Sequence, residues 1–378
     1  MNKIPPVDLT RQYQLISEEA NLAVLKILNS GRYIGGEAVT SFERQFADYN
    51  VVSECVGCNS GTDALYMALK ALDIGRGDEV ITTPFTFIAT AEVITRVGAK
   101  PVFVDIDIDT FNLNLKRVKE AITPRTKAII PVHLFGQPVD MTRLMAIAEA
   151  HNLYVIEDCA QATGAEWSGQ KIGSIGHIGC FSFFPTKNLG ACGDGGAVTT
   201  NDPAIAAKIK MLREHGCQAR YRHDLTGINS RLDAIQAAVL KIKLRYLDIW
   251  NEQRISAADY YHSLLRSLEA VKLPSALSGG KNVWNQYTIC IKDKSSTTKT
   301  KRDRLRSTLQ EKGVISMVYY PIPLHLQPVY QNLGYQKGQL PITEQAAREV
   351  LSLPIFPGIT EAEQEQVVYT IKDCLLEI

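Results

Sequence analysis

The sequence predicts an α/β protein, with a largely parallel sheet covered by helices on both faces and a smaller α+β domain after it. Three observations carry this. From about residue 50 to 215, short apolar runs alternate with longer segments whose apolar residues recur at helical spacing. The runs are continuously apolar, as strands buried on both faces are, instead of alternating apolar with polar. After Asn229 the texture changes: Ser230 to about Leu268 is rich in Ala, Leu, Lys, Arg and Gln and contains no Pro or Gly.

The apolar runs are Cys55–Cys58, Glu79–Thr82, Pro101–Val104, Ala128–Val132, Tyr154–Glu157 and Cys180–Phe184. Between them, Thr62–Ala71, Thr90–Val97 and Met141–His151 read as helices, with Gly75, Gly77 and Gly98 punctuating helix ends. Ser230–Leu268 reads as long helix, broken once, and forms a helical link between domains. Leu273-Pro274 and Ser278-Gly279-Gly280 then mark a loop, and short strand and helix candidates follow. The domains fall at 1–254 and 255–378. Lys292–Lys301 reads as an exposed hydrophilic loop.

A chain of 378 residues is too long for one core and short for three. Its 45% hydrophobic and 21% charged residues exclude a disordered class. Lys+Arg at 41 against Asp+Glu at 40 gives a net charge of +1, which offers no electrostatic case for nucleic acid or a membrane surface. Met1-Asn2-Lys3-Ile4-Pro5-Pro6 lacks the apolar segment of a secretion signal, and no apolar run has the length of a membrane span. Of the eight cysteines only Cys55 and Cys58 form a C-x-x-C pair, without a second pair at zinc-site spacing. They read as small core residues; no metal is expected, and a reducing cytoplasm is.

Five segments place polar residues at the C-terminal ends of strands, where open α/β sheets bind ligands. Asn59-Ser60-Gly61-Thr62-Asp63 opens a helix, so its N–H groups and the Thr62 hydroxyl make either a phosphate site or an ordinary N-cap. Asp158 ends a buried strand, where a carboxylate needs a partner or a task. Facing a pyridine nitrogen it would keep that nitrogen protonated; the other reading is a helix cap. Glu157 points to the opposite face. Lys187 follows the apolar strand Cys180–Phe184 and precedes Gly190 and Gly193-Asp194-Gly195-Gly196. A desolvated lysine has the neutral amine that Schiff-base chemistry uses, the alternative being a solvated loop lysine. Ser182 could offer a hydroxyl to the same phosphate. In Thr83-Pro84-Phe85-Thr86-Phe87 the aromatics either stack on a flat cofactor or join the core. In Gly227-Ile228-Asn229-Ser230-Arg231-Leu232-Asp233, Asn229 or Ser230 caps the long helix and Asp233 fits the capping pattern, or Asn229 and Arg231 meet an anion.

Together these segments resemble the DegT/DnrJ/EryC1/StrS sugar aminotransferases, pyridoxal-phosphate enzymes of the aspartate aminotransferase fold type I. The resemblance spans nearly the whole chain. It runs through Gly31–Gly36 with Phe42-Glu43, Asn59–Leu65, Thr83–Thr90, His133–Gly136, Glu157–Ala162, Ser182–Lys187, Gly227–Arg231 and Tyr320-Pro321 with His325, and includes 29 positions from Asp158 to Lys187. It implies a large domain with a mostly parallel seven-stranded mixed sheet and a smaller C-terminal α+β domain. It also implies that Lys187 holds pyridoxal 5'-phosphate as a Schiff base and moves the proton, while Asp158 pairs with the ring nitrogen. Gln161 would lie near the ring hydroxyl, Phe87 (or Phe85 in its place) on the ring face, and Gly61, Thr62 and Ser182 on the phosphate. Asn229 would reach that phosphate from the neighbouring subunit of a homodimer, and Arg231 and His325 would face a nucleotide-sugar.

The reaction so implied moves an amino group from L-glutamate to a keto-sugar nucleotide, dTDP- or UDP-linked, in amino-sugar biosynthesis. The segments Gly31–Gly36, His133–Gly136 and Gly227–Arg231 look more like relatives acting at C3 than at C4. Some relatives carry histidine in place of the lysine and act as dehydratases; lysine here implies transamination. A few were first described as regulatory proteins, so a ligand-sensing module is the rival from another class. A nicotinamide oxidoreductase would want G-x-G-x-x-G where Ser60–Leu65 stands.

Overall fold

The computed structural model describes residues 3–293 and 300–377. At its centre lie seven strands: β1 (Glu54–Cys58), β2 (Glu79–Thr82), β3 (Lys100–Phe103), β4 (Thr126–Ile130), β5 (Tyr154–Asp158), β6 (Ile178–Ser182) and β7 (Gly196–Thr200). Their spatial order is β1-β7-β6-β5-β4-β2-β3. Neighbours from β3 through β6 pair in parallel, while β7 runs antiparallel to both β6 and β1. The chain is thus an α/β protein built on a mostly parallel seven-stranded mixed sheet.

Period-two geometry explains why the strands read as continuously apolar, since successive side chains enter opposite cores. Ile81, Ile129, Val155 and Phe181 pack on one side with Phe42 and Phe46 of α2 (Glu37–Asn50). Val80, Ala128, Ile156 and Cys180 pack on the other with Leu65 and Leu69 of α3 (Gly61–Ala71). Each fully buried aliphatic side chain contributes about 1.5–3 kcal/mol. Phe46 meets Phe181 and Phe183 edge-on at 5.0 and 5.3 Å, so truncating it would leave a cavity costing about 3–5 kcal/mol. Because Phe181 and Phe183 both face α2, Ser182 between them is turned toward the start of α3.

The six sequence runs correspond to β1–β6, with β6 ending at Ser182 and not Phe184. Strand β7 has no counterpart in the sequence reading, because the glycines before it read as a loop. The helical link is two helices, α8 (Ala234–Leu244) and α9 (Leu247–Leu265), broken at Arg245–Tyr246. It begins at Ala234, four residues later than expected. The Asp233 side chain makes no capping bond, and the Ala234 N–H is bonded by Tyr33 O instead, at 2.9 Å. A second core gathers Tyr261 and Leu265 of α9, Tyr287 and Ile289 of a three-stranded antiparallel sheet, and Val367 and Ile371 of the last helix. Ile4 joins this core and bridges to Val314, so the first residues pack with the C-terminal unit instead of the large one. Of the expected loop at 292–301, residues 294–299 lie outside the described residues; Lys292 is exposed. Among the described residues no helix is long and apolar enough to cross a membrane.

Candidate active site

The C-terminal ends of β1, β2, β5 and β6, joined by the start of antiparallel β7, converge on one edge of the sheet. At the end of β1, Ser60 caps α3 by accepting the Asp63 N–H at 3.1 Å. The capping reading of this segment therefore holds, and it leaves the remaining first-turn N–H groups pointing outward. Two glycines make the approach to it close. A Cβ on Gly61 would sit 2.7 Å from Ser182 Cβ, and one on Gly196 would sit 2.5 Å from Ser60 C. The start of α3, the end of β6 and the start of β7 are thus packed closely against one another.

Asp158 ends β5 at 5% exposure. Its Oδ2 accepts the Thr90 hydroxyl at 2.8 Å and its Oδ1 the Ala160 N–H at 3.1 Å. Burial raises its pKa, while these donors and the charge of Lys187 act against that rise. Glu157 faces the other way, as its position in the strand dictates. It accepts N–H groups from Gly173, Ile175 and Gly176 and pairs with His133 Nε2 at 3.1 Å. His133 Nδ1 accepts the Val139 N–H, so Nε2 carries the proton. Cys159 lies within reach of this pair, but the lone pairs that would hold a metal are already engaged. Cys55 and Cys58 are free, buried thiols, and burial pushes Cys58 up to about 12.

Lys187 stands in the turn after β6, half-buried. Burial lowers its amine to about 8, with Asp158 pulling in the opposite direction. Side chains from distant elements hold the backbone around it. Asn188 Nδ2 donates to Asn251 Oδ1 at 2.7 Å and to Val283 O at 2.9 Å. Asn285 Nδ2 donates to Asn188 Oδ1 at 2.8 Å and Thr186 O at 3.3 Å, and Lys243 Nζ to Gly190 O at 2.7 Å.

Around this pair, Phe85 is fully buried against Phe111, Phe135 and Tyr320, whereas Phe87 is 58% exposed. Phe87 is therefore the aromatic with a free face. Gln161 is fixed at both ends: its Oε1 accepts the Phe135 N–H at 2.7 Å and its Nε2 donates to Tyr320 Oη at 3.0 Å. Asn229 exposes its side chain beside this chain's own Asn59, whose Nδ2 meets Asn229 O at 3.5 Å. Ser230 is buried and donates to Asn59 Oδ1 at 3.0 Å, so neither residue caps the long helix. Arg231 is half-buried and paired with Glu214 at 3.3 Å.

His325 lies beneath its neighbours. It is 1% exposed, with Nε2 3.2 Å from Glu344 Oε1 and its ring against Tyr335, and burial lowers its pKa. A nucleotide anchor must present its side chain, and in this chain Glu344 and Tyr335 cover His325. The sequence reading overlooked Thr90, Gly196 and the link from Tyr320 to Gln161. A polar residue in the first turn of an apolar helix was the one available signal, and it applied to Thr90.

Comparison with known proteins supplies the deciding observation: the profile of the DegT/DnrJ/EryC1/StrS aminotransferase family matches residues 14–372. The chain belongs to that family. It is 48% identical to a pleiotropic regulatory protein of Geobacillus stearothermophilus over 372 residues, covering 98% of each. It is 45% identical to the UDP-N-acetyl-3-dehydro-alpha-D-glucosamine 3-aminotransferase of Acidithiobacillus ferrooxidans, again over 372 residues and 98% of each. Its fold matches the crystal structure of DesV from S. venezuelae with a TM-score of 0.95 and 42% identity, covering 99% of this chain and 98% of that one. This DegT/DnrJ/EryC1/StrS member is a sugar-nucleotide aminotransferase whose cofactor is pyridoxal phosphate. The residues present fit that cofactor. They include the start of a helix packed closely on Ser182, an aromatic with a free face, a buried carboxylate and a lysine with a lowered pKa.

Proposed function

We propose that this aminotransferase transfers the amino group of L-glutamate to C3 of a keto-hexose carried on UDP or dTDP. The observation that carries the residue roles is Lys187, its amine lowered to about 8 by burial, beside the buried carboxylate of Asp158. Support for C3 comes from relatives whose names specify a 3-amino or 3-oxo sugar, on UDP in one and dTDP in another.

When bound, the cofactor ring supplies the electron sink for the proton shift. Lys187 Nζ carries the proton between the two carbons that exchange it, and a low pKa suits a group that must give and take a proton near neutrality. Asp158 would hold a proton on the ring nitrogen, and Gln161, held from both sides by Phe135 and Tyr320, would meet the ring hydroxyl. Phe87 covers one face. The first turn of α3, from Gly61 and Thr62, holds the phosphate with Ser182. Arg231, once released from Glu214, faces the nucleotide-sugar.

The active unit in this reading is a homodimer in which Asn229 reaches the partner's phosphate site. Exposed Leu22, Leu25, Tyr33, Ile34 and Phe184 support it, since monomers seldom leave so many large apolar side chains uncovered. Eight free cysteines fit the reducing cytoplasm expected of such an enzyme. A regulatory role is favoured by the names of two relatives, one called regulatory and one a sensory transduction protein, but a pure sensor has no need of both Lys187 and Asp158. The test is a panel of 3-keto and 4-keto sugar nucleotides with glutamate, with products identified by mass spectrometry and NMR. An amine at C3 is expected; amination at C4 alone, without turnover of any 3-keto sugar, would overturn the regiochemistry.

A further inference from the structure

We propose that Thr90, backed by Thr86, is a positioning residue that orients Asp158 toward the cofactor and adds a donor to its ionised form. The proposal rests on the reading that Asp158 faces the ring nitrogen. Three groups lie in series: Thr86 Oγ1 is 3.1 Å from Thr90 Oγ1, which is 2.8 Å from Asp158 Oδ2. An ionised carboxylate only accepts, so the single hydroxyl proton of Thr90 is committed to Asp158. The Thr86–Thr90 contact must then run with Thr86 as donor, and the chain of hydrogen bonds acquires one direction, ending on the carboxylate.

All three residues are buried, at 3%, 1% and 5% exposure, so water does not compete for these bonds. The geometry divides the work on Asp158. Ala160 N–H holds Oδ1 from its own chain segment, while Thr90 holds Oδ2 from α4 (Ala89–Arg96), so the carboxylate plane is set from two sides. The other titratable groups facing it are the Lys187 amine, His133, the Tyr320 phenol and the thiols of Cys159 and Cys180. None of these groups donates a hydrogen bond to the carboxylate. Thr90 is thus the side-chain donor on which its orientation depends.

A hydrogen bond to a charged group of this kind corresponds to roughly a ten- to hundredfold change in an equilibrium or rate. Valine has the shape of threonine without the hydroxyl, so Thr90→Val removes the bond with little change in packing. The experiment uses the holoenzyme and reads turnover together with the pH midpoint of its visible absorbance band. If the negative charge facing the ring nitrogen weakens, the nitrogen loses its proton and no longer helps expel the proton from the Lys187 link. The midpoint then moves to higher pH.

Thr90→Val is expected to raise the midpoint and to cut turnover about ten- to hundredfold. Thr90→Ser should behave as the parent, Thr86→Ala should fall between, and Asp158→Asn should move the midpoint furthest. If Asp158→Asn moves the midpoint but Thr90→Val leaves it and turnover at parental values, the role of Thr90 is overturned while that of Asp158 stands. If Asp158→Asn moves neither, the reading of Asp158 fails first. Should Thr90→Val not fold, Thr86→Ala carries the test, and a parental midpoint there overturns the proposal.

Discussion

Replacing Gly61 by alanine isolates the phosphate cradle from every other part of the site. The new methyl would lie 2.7 Å from Ser182 Cβ, 3.1 Å from Ser182 Cα and 3.4 Å from Phe181 O. Carbon atoms settle about 3.5–4.0 Å apart, so about 1 Å must open between the start of α3 and the end of β6. No side-chain rotation relieves this, because Ser182 Cα and Cβ are fixed by a strand paired on both sides. Overpacking of this kind costs about 1–3 kcal/mol. Displacing the first-turn N–H groups by about 1 Å should also weaken cofactor binding by about tenfold or more. The assay pairs thermal unfolding of the apoprotein with an absorbance titration of the cofactor. Gly75→Ala is the control, since its methyl would meet Val97 O at an ordinary 3.4 Å. Lower stability with parental cofactor affinity would refute the cradle and leave Gly61 a packing residue only.

Borohydride treatment of the holoenzyme should fix the cofactor's mass on the peptide containing Lys187; labelling of another lysine would reject the assignment. Because burial lowers the Lys187 amine to about 8, its reactive neutral form should be about a tenth of the total at pH 7. The rate of reconstitution from apoprotein should therefore climb with pH through about 8 and then level, whereas a climb continuing past pH 10 would mark an ordinary solvated lysine. Mixing inactive Lys187→Ala subunits with an inactive Asn229→Ala/Arg231→Ala double variant should restore part of the activity. No recovery, in dimers shown to have exchanged subunits, would mean self-contained sites.

The parts legible in the sequence were those whose signal is local. Strands β1–β6 announced themselves because both faces of each are buried, and Lys187 drew notice because a cation directly after so apolar a strand is rare. Strand β7 was hidden by its own packing: Gly196 must be small to admit Ser60 and Gly61, Gly195 packs closely on Leu232 and Phe183, and glycines read as a loop. The choice between Phe85 and Phe87 could not be made from alternation, because the chain has already left β2 for a turn at that point. Thr90 was invisible because its partner, Asp158, lies 68 residues away. Asn229 and Ser230 looked like caps, yet the cap they suggested is replaced by a backbone contact from Tyr33, more than 190 residues earlier. The surroundings of His325 were illegible for a similar reason: nothing near it in the sequence states that Glu344 and Tyr335 will cover it.

The asparagine clamp around Lys187 has a consequence for how this position can change over generations. Asn188, Asn251, Asn285 and Lys243 fix the backbone on either side, and the hydrogen bond recorded for Lys187 itself is from its backbone N–H to Phe184 O. The side chain at 187 contributes little to holding its own loop in place. A substitution there would remove the reactive group proposed for this site while leaving the fold intact, so the proposed chemistry could be lost or exchanged in a single mutational step. The neighbouring asparagines have no such freedom, because each buried amide left without its partner would cost about 1–3 kcal/mol. Heritable variation should therefore reach the reactive residue more readily than the amides that hold it.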